Sequence, residues 1–239
     1  MSQVVEIHLI TKEWMILNGK ERAAKRSCEY VEPGMSVGLG TGSTAEFMIR
    51  FLSEREKEEH LGVTCVATSR RSEELAVNLG LKVVGFHEVD KLDLTIDGAD
   101  EIDYSLCGIK GGGGSLLYEK LVASASKKVI WIADETKMVD RIGKFPLPIE
   151  IVPFYHDKLF QKLINEGYKP TYRMDGDRIF TTDGGNHIFD LHLDEISDPL
   201  ALHEKLKLMT GVIETGLFLD LTDMVIVGGE NQERVIEKR

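Results

Sequence analysis

The chain is short of several things at once. In 239 residues it has three cysteines, six prolines and two tryptophans, and aromatic residues make up 7%. Cys28, Cys65 and Cys107 are odd in number and widely spaced. They form neither a disulfide framework nor a CxxC metal pattern, which fits a reducing compartment. No apolar run approaches the ~20 residues of a membrane span. The short apolar patch at the N-terminus is broken by Glu6 and Lys12-Glu13, which is not the order of a secretory signal. The expected location is therefore cytoplasmic, without a membrane partner. Cationic charge is also scarce: 29 Lys and Arg against 40 Asp and Glu leave a net charge of −11, which argues against nucleic acid as a partner. Metal-ligand spacing is missing as well. No HExxH appears, and of His187, Asp190 and His192 only the last two would share a strand face. Neither a metal nor another cofactor is expected.

What remains is an ordinary globular composition, 42% hydrophobic and 29% charged, long enough for one large or two modest domains. Apolar runs alternate with helical periods, which predicts an α/β fold built on a doubly wound, mostly parallel, Rossmann-like sheet. Helices are expected over 12–31, 44–59, 70–79 and 115–126, and strands over 35–40, 63–67, 82–86, 92–96 and 128–132. The texture changes after residue 144. Pro146, Pro148 and Pro153 punctuate an extended run, and a helix follows over 156–166. Short strands over 169–173, 178–181 and 187–192 are separated by Asp175-Gly176 and Asp183-Gly184-Gly185, which are hairpin signals. A helix over 199–208 and strands near 211–219 complete a smaller α+β domain, 145–219. It is inserted into a Rossmann-like domain of 1–144 and 220–239, whose last core strand is MVIVG.

The densest chemistry lies in residues 95–120, TIDGADEIDYSLCGIKGGGGSLLYEK. Four consecutive glycines carry a large entropy cost but let a backbone approach a ligand closely. Lys110 precedes them, and Glu119 falls nine residues after that lysine, inside the following helix. Asp97 and Asp100 read either as a turn with a helix cap or as carboxylates facing sugar hydroxyls. Glu101 and Asp103 are expected to face solvent. Gly40, Thr41, Gly42, Ser43 and Thr44 join a strand to a helix. Such a loop suits a phosphate, through backbone N–H groups and hydroxyls, as readily as it makes a capped turn. It is neither a P-loop nor a dinucleotide fingerprint. The segments TGST, DGAD and DETK each fall just after a predicted strand, so they should converge on one rim, where ligands of such sheets bind. The stretch reads as a site where an anionic, oxygen-rich small molecule meets a carboxylate base.

These blocks resemble the type A ribose-5-phosphate isomerase family. IDGADEID, KGGGGSLLYEK and ADETK carry the resemblance, and VGLGTGSTAEF, TSRRSEELAVNLG, KFPLPIEIVPF, TTDGGNHIFD and GVIETGLF extend it in the family's order over roughly residues 18–228. Tyr118, Gly184, Thr210 and Thr215 depart from residues common in the family. The resemblance implies interconversion of D-ribose 5-phosphate and D-ribulose 5-phosphate through a cis-enediolate, with no cofactor. It implies Glu119 as the base, Asp97 in ring opening and Lys110 on the enediolate. It implies substrate contacts from Thr41, Gly42, Ser43, Thr44, Asp97, Gly98, Ala99, Asp100, Lys110, Gly111, Gly112, Gly113 and Lys137. Lys20 matches a phosphate-binding lysine but also reads as an ordinary surface lysine. A homodimer or homotetramer is expected by the same analogy. Two other classes compete. A sugar-phosphate sensor would need a DNA-binding module, for which residues 1–17 are too short. An amino-sugar phosphate deaminase would need an Asp–His pair near Asp97, and none is seen.

Overall fold

The protein is described here by a computed structural model over residues 18–238. The first helix, α1, runs Gly19–Cys28. The part of the predicted 12–31 helix before residue 18 lies outside the described residues. Asn18 closes a capping box: its Oδ1 accepts from the Glu21 N–H at 3.0 Å, and its own N–H donates to Glu21 Oε2 at 2.9 Å.

A six-stranded sheet forms the centre. Its order is Glu233–Glu237, Met224–Gly228, Val129–Asp134, Leu94–Gly98, Ser36–Leu39, Thr64–Ala67. All neighbours are parallel except the first pair. Strand residues alternate between two apolar layers, as the two-residue period requires. Ile130 and Ile132 pack with Ala23, Ala24, Met48 and Leu52 beneath α1 and the helix α2, Ser43–Glu59. Val129, Trp131 and Ala133 face the other way, with Leu116 and Ala123 of a helix we number α4, Leu116–Ser124. Between α2 and α4 in the chain lies α3, Arg70–Asn78.

A second sheet is antiparallel, in the order Val212–Thr215, Leu147–Ile151, His187–Leu191, Pro170–Tyr172. Helices α5, His156–Asn165, and α6, Pro199–Lys207, cover it, burying Leu159, Leu163 and Leu206 with Ile149, Phe189 and Leu191. The Asp175-Gly176 hairpin forms as expected, joining Met174–Asp175 to Arg178–Ile179.

Three features differ from the expectation. The strand predicted over 82–86 is only a bridge from Val83 to Cys65. It stops because Gly85 opens a 3-10 turn, Phe86–Glu88, capped by Glu88 Oε1 on the Gly85 N–H at 2.8 Å. The antiparallel edge strand Glu233–Glu237 was not anticipated. Nor was a three-stranded ribbon of Glu101–Ile102, Gly108–Ile109 and Leu217–Phe218. That ribbon ties the end of the inserted segment directly to the chain that carries Lys110.

Candidate active site

The strand Leu94–Gly98 delivers Asp97 to the carboxyl rim of the main sheet. The ribbon delivers Lys110, whose N–H donates to the Gly216 carbonyl at 2.9 Å. The first turn of α4 delivers Glu119. All three side chains are buried: Asp97 is 2% exposed, Lys110 2% and Glu119 4%. The Lys110 ammonium lies 2.9 Å from Asp97 Oδ2 and 3.0 Å from Glu119 Oε1, and donates to the Gly98 carbonyl at 2.6 Å. It also stands 5.2 Å above the ring of Phe218. Glu119 Oε2 is buried and has no hydrogen-bond partner among the described residues.

Two buried carboxylates and one buried cation set the electrostatics. Burial pushes the Glu119 carboxyl up to about 8; Lys110 opposes the shift and the charge of Asp97 adds to it. Burial also raises Asp97, against Lys110 and the N–H bonds it accepts. For Lys110, burial alone would lower the ammonium, but the two carboxylates overcome it and hold it charged.

Above this triad the loop into α2 is open to an anion. Gly42 has φ of 108°, a conformation suited to glycine, and no side chain caps the helix. The first-turn N–H groups of α2 are therefore unspent. Lys20 reaches across from α1 and donates to Ser43 Oγ at 3.0 Å. Lys137, on the 3-10 turn Glu135–Lys137 after the strand Val129–Asp134, completes the cationic side.

One cleft gathers Lys20, Thr41, Gly42, Ser43, Thr44, Gly98, Ala99, Asp100, Lys110, Gly111, Gly113, Glu119 and Lys137. Of the residues singled out by sequence, Asp97 and Gly112 do not line it. Asp97 sits below the floor with both oxygens engaged: Oδ1 accepts from the Thr41 N–H at 3.0 Å and the Gly98 N–H at 2.7 Å, while Oδ2 faces Lys110. Gly112 instead donates its N–H to Asp100 Oδ2 at 2.8 Å. Thr41 lines the cleft, but its hydroxyl is turned inward to Thr68 at 2.7 Å and Ser69 at 2.8 Å.

The description of the matching family model is ribose 5-phosphate isomerase A (phosphoriboisomerase A), over residues 64–232. The chain belongs to that family. A curated member from Limosilactobacillus reuteri (strain DSM 20016), named ribose-5-phosphate isomerase A, is 50% identical over 221 residues, 92% of this chain and 97% of its own length. One from Enterococcus faecalis (strain ATCC 700802 / V583) is 49% identical over 221 residues, with 92% and 98% covered. The ribose 5-phosphate isomerase A from Methanocaldococcus jannaschii superposes with a TM-score of 0.87 at 35% identity, over 92% of this chain and 98% of that one. A D-ribose-5-phosphate isomerase in complex with phospho-erythronic acid gives 0.89 at 35% identity, over 92% and 100%.

Against the family's blocks, several residues near the site had no individual signal. Glu101, expected in solvent, is 5% exposed. It accepts from the Gly143 and Phe145 N–H groups, each at 2.7 Å, because the ribbon turns it inward under the crossover to the second sheet. Phe218 serves two cations, with the Lys120 ammonium 4.8 Å from its ring. Lys120 is fully used: it donates to Glu214 Oε1 at 2.9 Å, the Thr215 carbonyl at 2.7 Å and the Leu217 carbonyl at 2.8 Å.

Proposed function

We propose that this chain is an aldose–ketose isomerase that interconverts D-ribose 5-phosphate and D-ribulose 5-phosphate, as the names of its relatives indicate. The observation that carries the reading is the buried Glu119–Lys110–Asp97 triad beneath an uncapped helix N-terminus. A carboxylate with a raised proton affinity and one free oxygen is suited to moving a proton next to a carbonyl.

The phosphate sits at the start of α2, held by Ser43, Thr44 and the first-turn N–H groups, with Lys20 and Lys137 flanking it. Local cations and helix N–H groups thereby overcome a net charge of −11. Asp97 and Asp100 manage ring opening as a pair: Asp100 lines the cleft and meets the sugar, while Asp97 acts from below through Lys110. Glu119 then takes the proton from C2, and the electron pair moves onto the carbonyl oxygen to give the cis-enediolate. Once protonated, Glu119 loses its charge, which frees one Lys110 N–H for the enediolate oxygen. The hydroxyl proton on O2 passes to O1, and return of the Glu119 proton to C1 leaves the carbonyl at C2 and completes the isomerisation. No bound metal is needed for these steps.

We take residues 1–144 with 220–239 as the catalytic domain and 145–219 as the smaller one. We also infer a homodimer or homotetramer, supported by the exposure of Phe154, 97%, on the 3-10 turn Pro153–Tyr155, and of Leu208, 86%, at the end of α6. A cytoplasmic site is supported by three unpaired cysteines. Among the described residues no helix is long and apolar enough to cross a membrane.

The test is direct turnover of ribose 5-phosphate in excess EDTA, followed by ketose formation. Turnover supports the reading. Binding without turnover would favour a sensor, and loss of activity restored by a divalent ion would contradict the metal-free route.

A further inference from the structure

Four glycines in a row cannot hold a donor in place by themselves. Each has the widest backbone freedom of any residue, and the loop has no side chains with which to pack. Yet Gly113 lines the cleft, and its N–H has no acceptor among the described residues. Within the loop the Gly114 N–H closes a turn on the Gly111 carbonyl at 3.0 Å, which leaves the two peptides inside that turn to be oriented by contacts from outside.

Arg173 reaches the loop through its carbonyls. It lies between the strands Pro170–Tyr172 and Met174–Asp175, far from Lys110 in sequence. Its Nη1 donates to the carbonyls of both Gly111 and Gly112, the latter at 3.3 Å. The rest of the guanidinium is locked on Asp190, with Nε 3.0 Å from Oδ2 and Nη2 on Oδ1. The pair is mostly buried, at 15% and 17% side-chain exposure. A planar fork held at one edge by a carboxylate presents its other edge in a fixed direction.

In a trans peptide the C=O and N–H point opposite ways, and no peptide bond among the described residues is cis. Holding the Gly111 carbonyl on Arg173 therefore turns the Gly112 N–H away from it. That N–H is found on Asp100 Oδ2 at 2.8 Å, on the cleft side. The same geometry one peptide later turns the Gly113 N–H away from Arg173 and toward the cleft.

We propose that Arg173, braced by Asp190, is a positioning residue that orients the Gly113 N–H for the charge that develops on the substrate oxygens, and keeps the Gly112 N–H on Asp100. The proposal rests on the isomerase reading above. It assigns the second sheet a part in the chemistry, although no residue of that sheet lines the cleft.

A fixed donor matters most where charge is greatest, so the clamp should act on kcat and on enediolate mimics, and little on the phosphate. The experiment compares the parent enzyme with Arg173→Lys, which keeps the charge without the fork, and with Asp190→Asn, which loosens the brace. Three quantities are measured: steady-state kinetics on ribose 5-phosphate, inhibition by phospho-erythronic acid, and inhibition by inorganic phosphate. Loss of an oxyanion donor costs ~10²–10³ in kcat, and a misdirected one less, so Arg173→Lys should lose about 10- to 100-fold. KM and the phosphate inhibition constant should stay within about threefold, while the phospho-erythronic acid constant rises in step with the loss in kcat/KM. Asp190→Asn should show the same pattern, smaller. A kcat within about twofold of the parent, or equal weakening of both inhibitors, would overturn the clamp. Should Arg173→Lys lack a cooperative melting transition, Asp190→Asn decides by the same two criteria. An inactive parent would instead overturn the isomerase reading itself.

Discussion

Lys110 donates to Glu119 Oε1 at 3.0 Å, and the other oxygen of that carboxylate is buried without a partner among the described residues. One oxygen is thus held by a cation while its twin is spare. Such an arrangement fixes the direction of a base without saturating it.

Activity should therefore follow the ionisation of Glu119. Burial pushes this carboxyl up to about 8, and only the ionised form accepts a proton. We expect kcat/KM to rise about tenfold per unit of pH on the acid side and to level off above about 8. A pH-independent kcat/KM between pH 6 and 8 would contradict this.

The same shift has a consequence for stability. The folded carboxyl binds its proton more tightly than the unfolded one, whose ordinary value is 4.5. The stabilisation is complete below that value and is lost as pH rises through about 8. Urea midpoints of the parent should fall between pH 5 and pH 7.5, and Glu119→Gln should show a smaller fall. An equal fall in both proteins would remove Glu119 as its source.

Lys137→Ala should raise KM for ribose 5-phosphate strongly and lessen its dependence on salt. A charge-assisted hydrogen bond of roughly 1.5–3 kcal/mol is removed, about 10- to 150-fold in binding. Turnover of unphosphorylated ribose should change much less. The check is steady-state kinetics on both sugars across a salt series; unchanged constants for the phosphate would place Lys137 outside the anion site.

Glu101→Ala should destabilise the fold rather than impair chemistry. It strands the buried Gly143 N–H, at a cost of about 1–3 kcal/mol, and the partly buried Phe145 N–H at a smaller one. A urea midpoint equal to the parent's would return Glu101 to the solvent-facing role that the sequence suggests.

The ease of reading this chain varied with the distance between partners. Asp97, Lys110 and Glu119 lie within one continuous stretch, and the helix and strand periods around it place their backbones on one rim. Thr41 to Thr44 and Lys137 follow strands of the same parallel sheet, so topology brings them to the same place. Arg173 and Asp190 are different. Their link to the glycine loop spans 62 residues from Arg173 to Gly111, and an Arg just after one short strand with an Asp 17 residues on in another looks like any surface pair. Glu101 was misread because its ribbon strand is two residues long, too short to show a period. The edge strand Glu233–Glu237 buries almost nothing, since four of its five residues are exposed. Alternation is a signal of burial, and this strand had none to display.

The central claim is that Glu119 moves the proton, and the kcat of Glu119→Gln tests it most directly. The amide keeps the side chain's shape and a hydrogen-bonding oxygen near Lys110, but it cannot accept the proton from C2. We expect kcat for ribose 5-phosphate to fall by ~10²–10⁴ or more, with substrate still bound at near-parent affinity. Retention of more than about a tenth of the parent kcat would show that another group is the base.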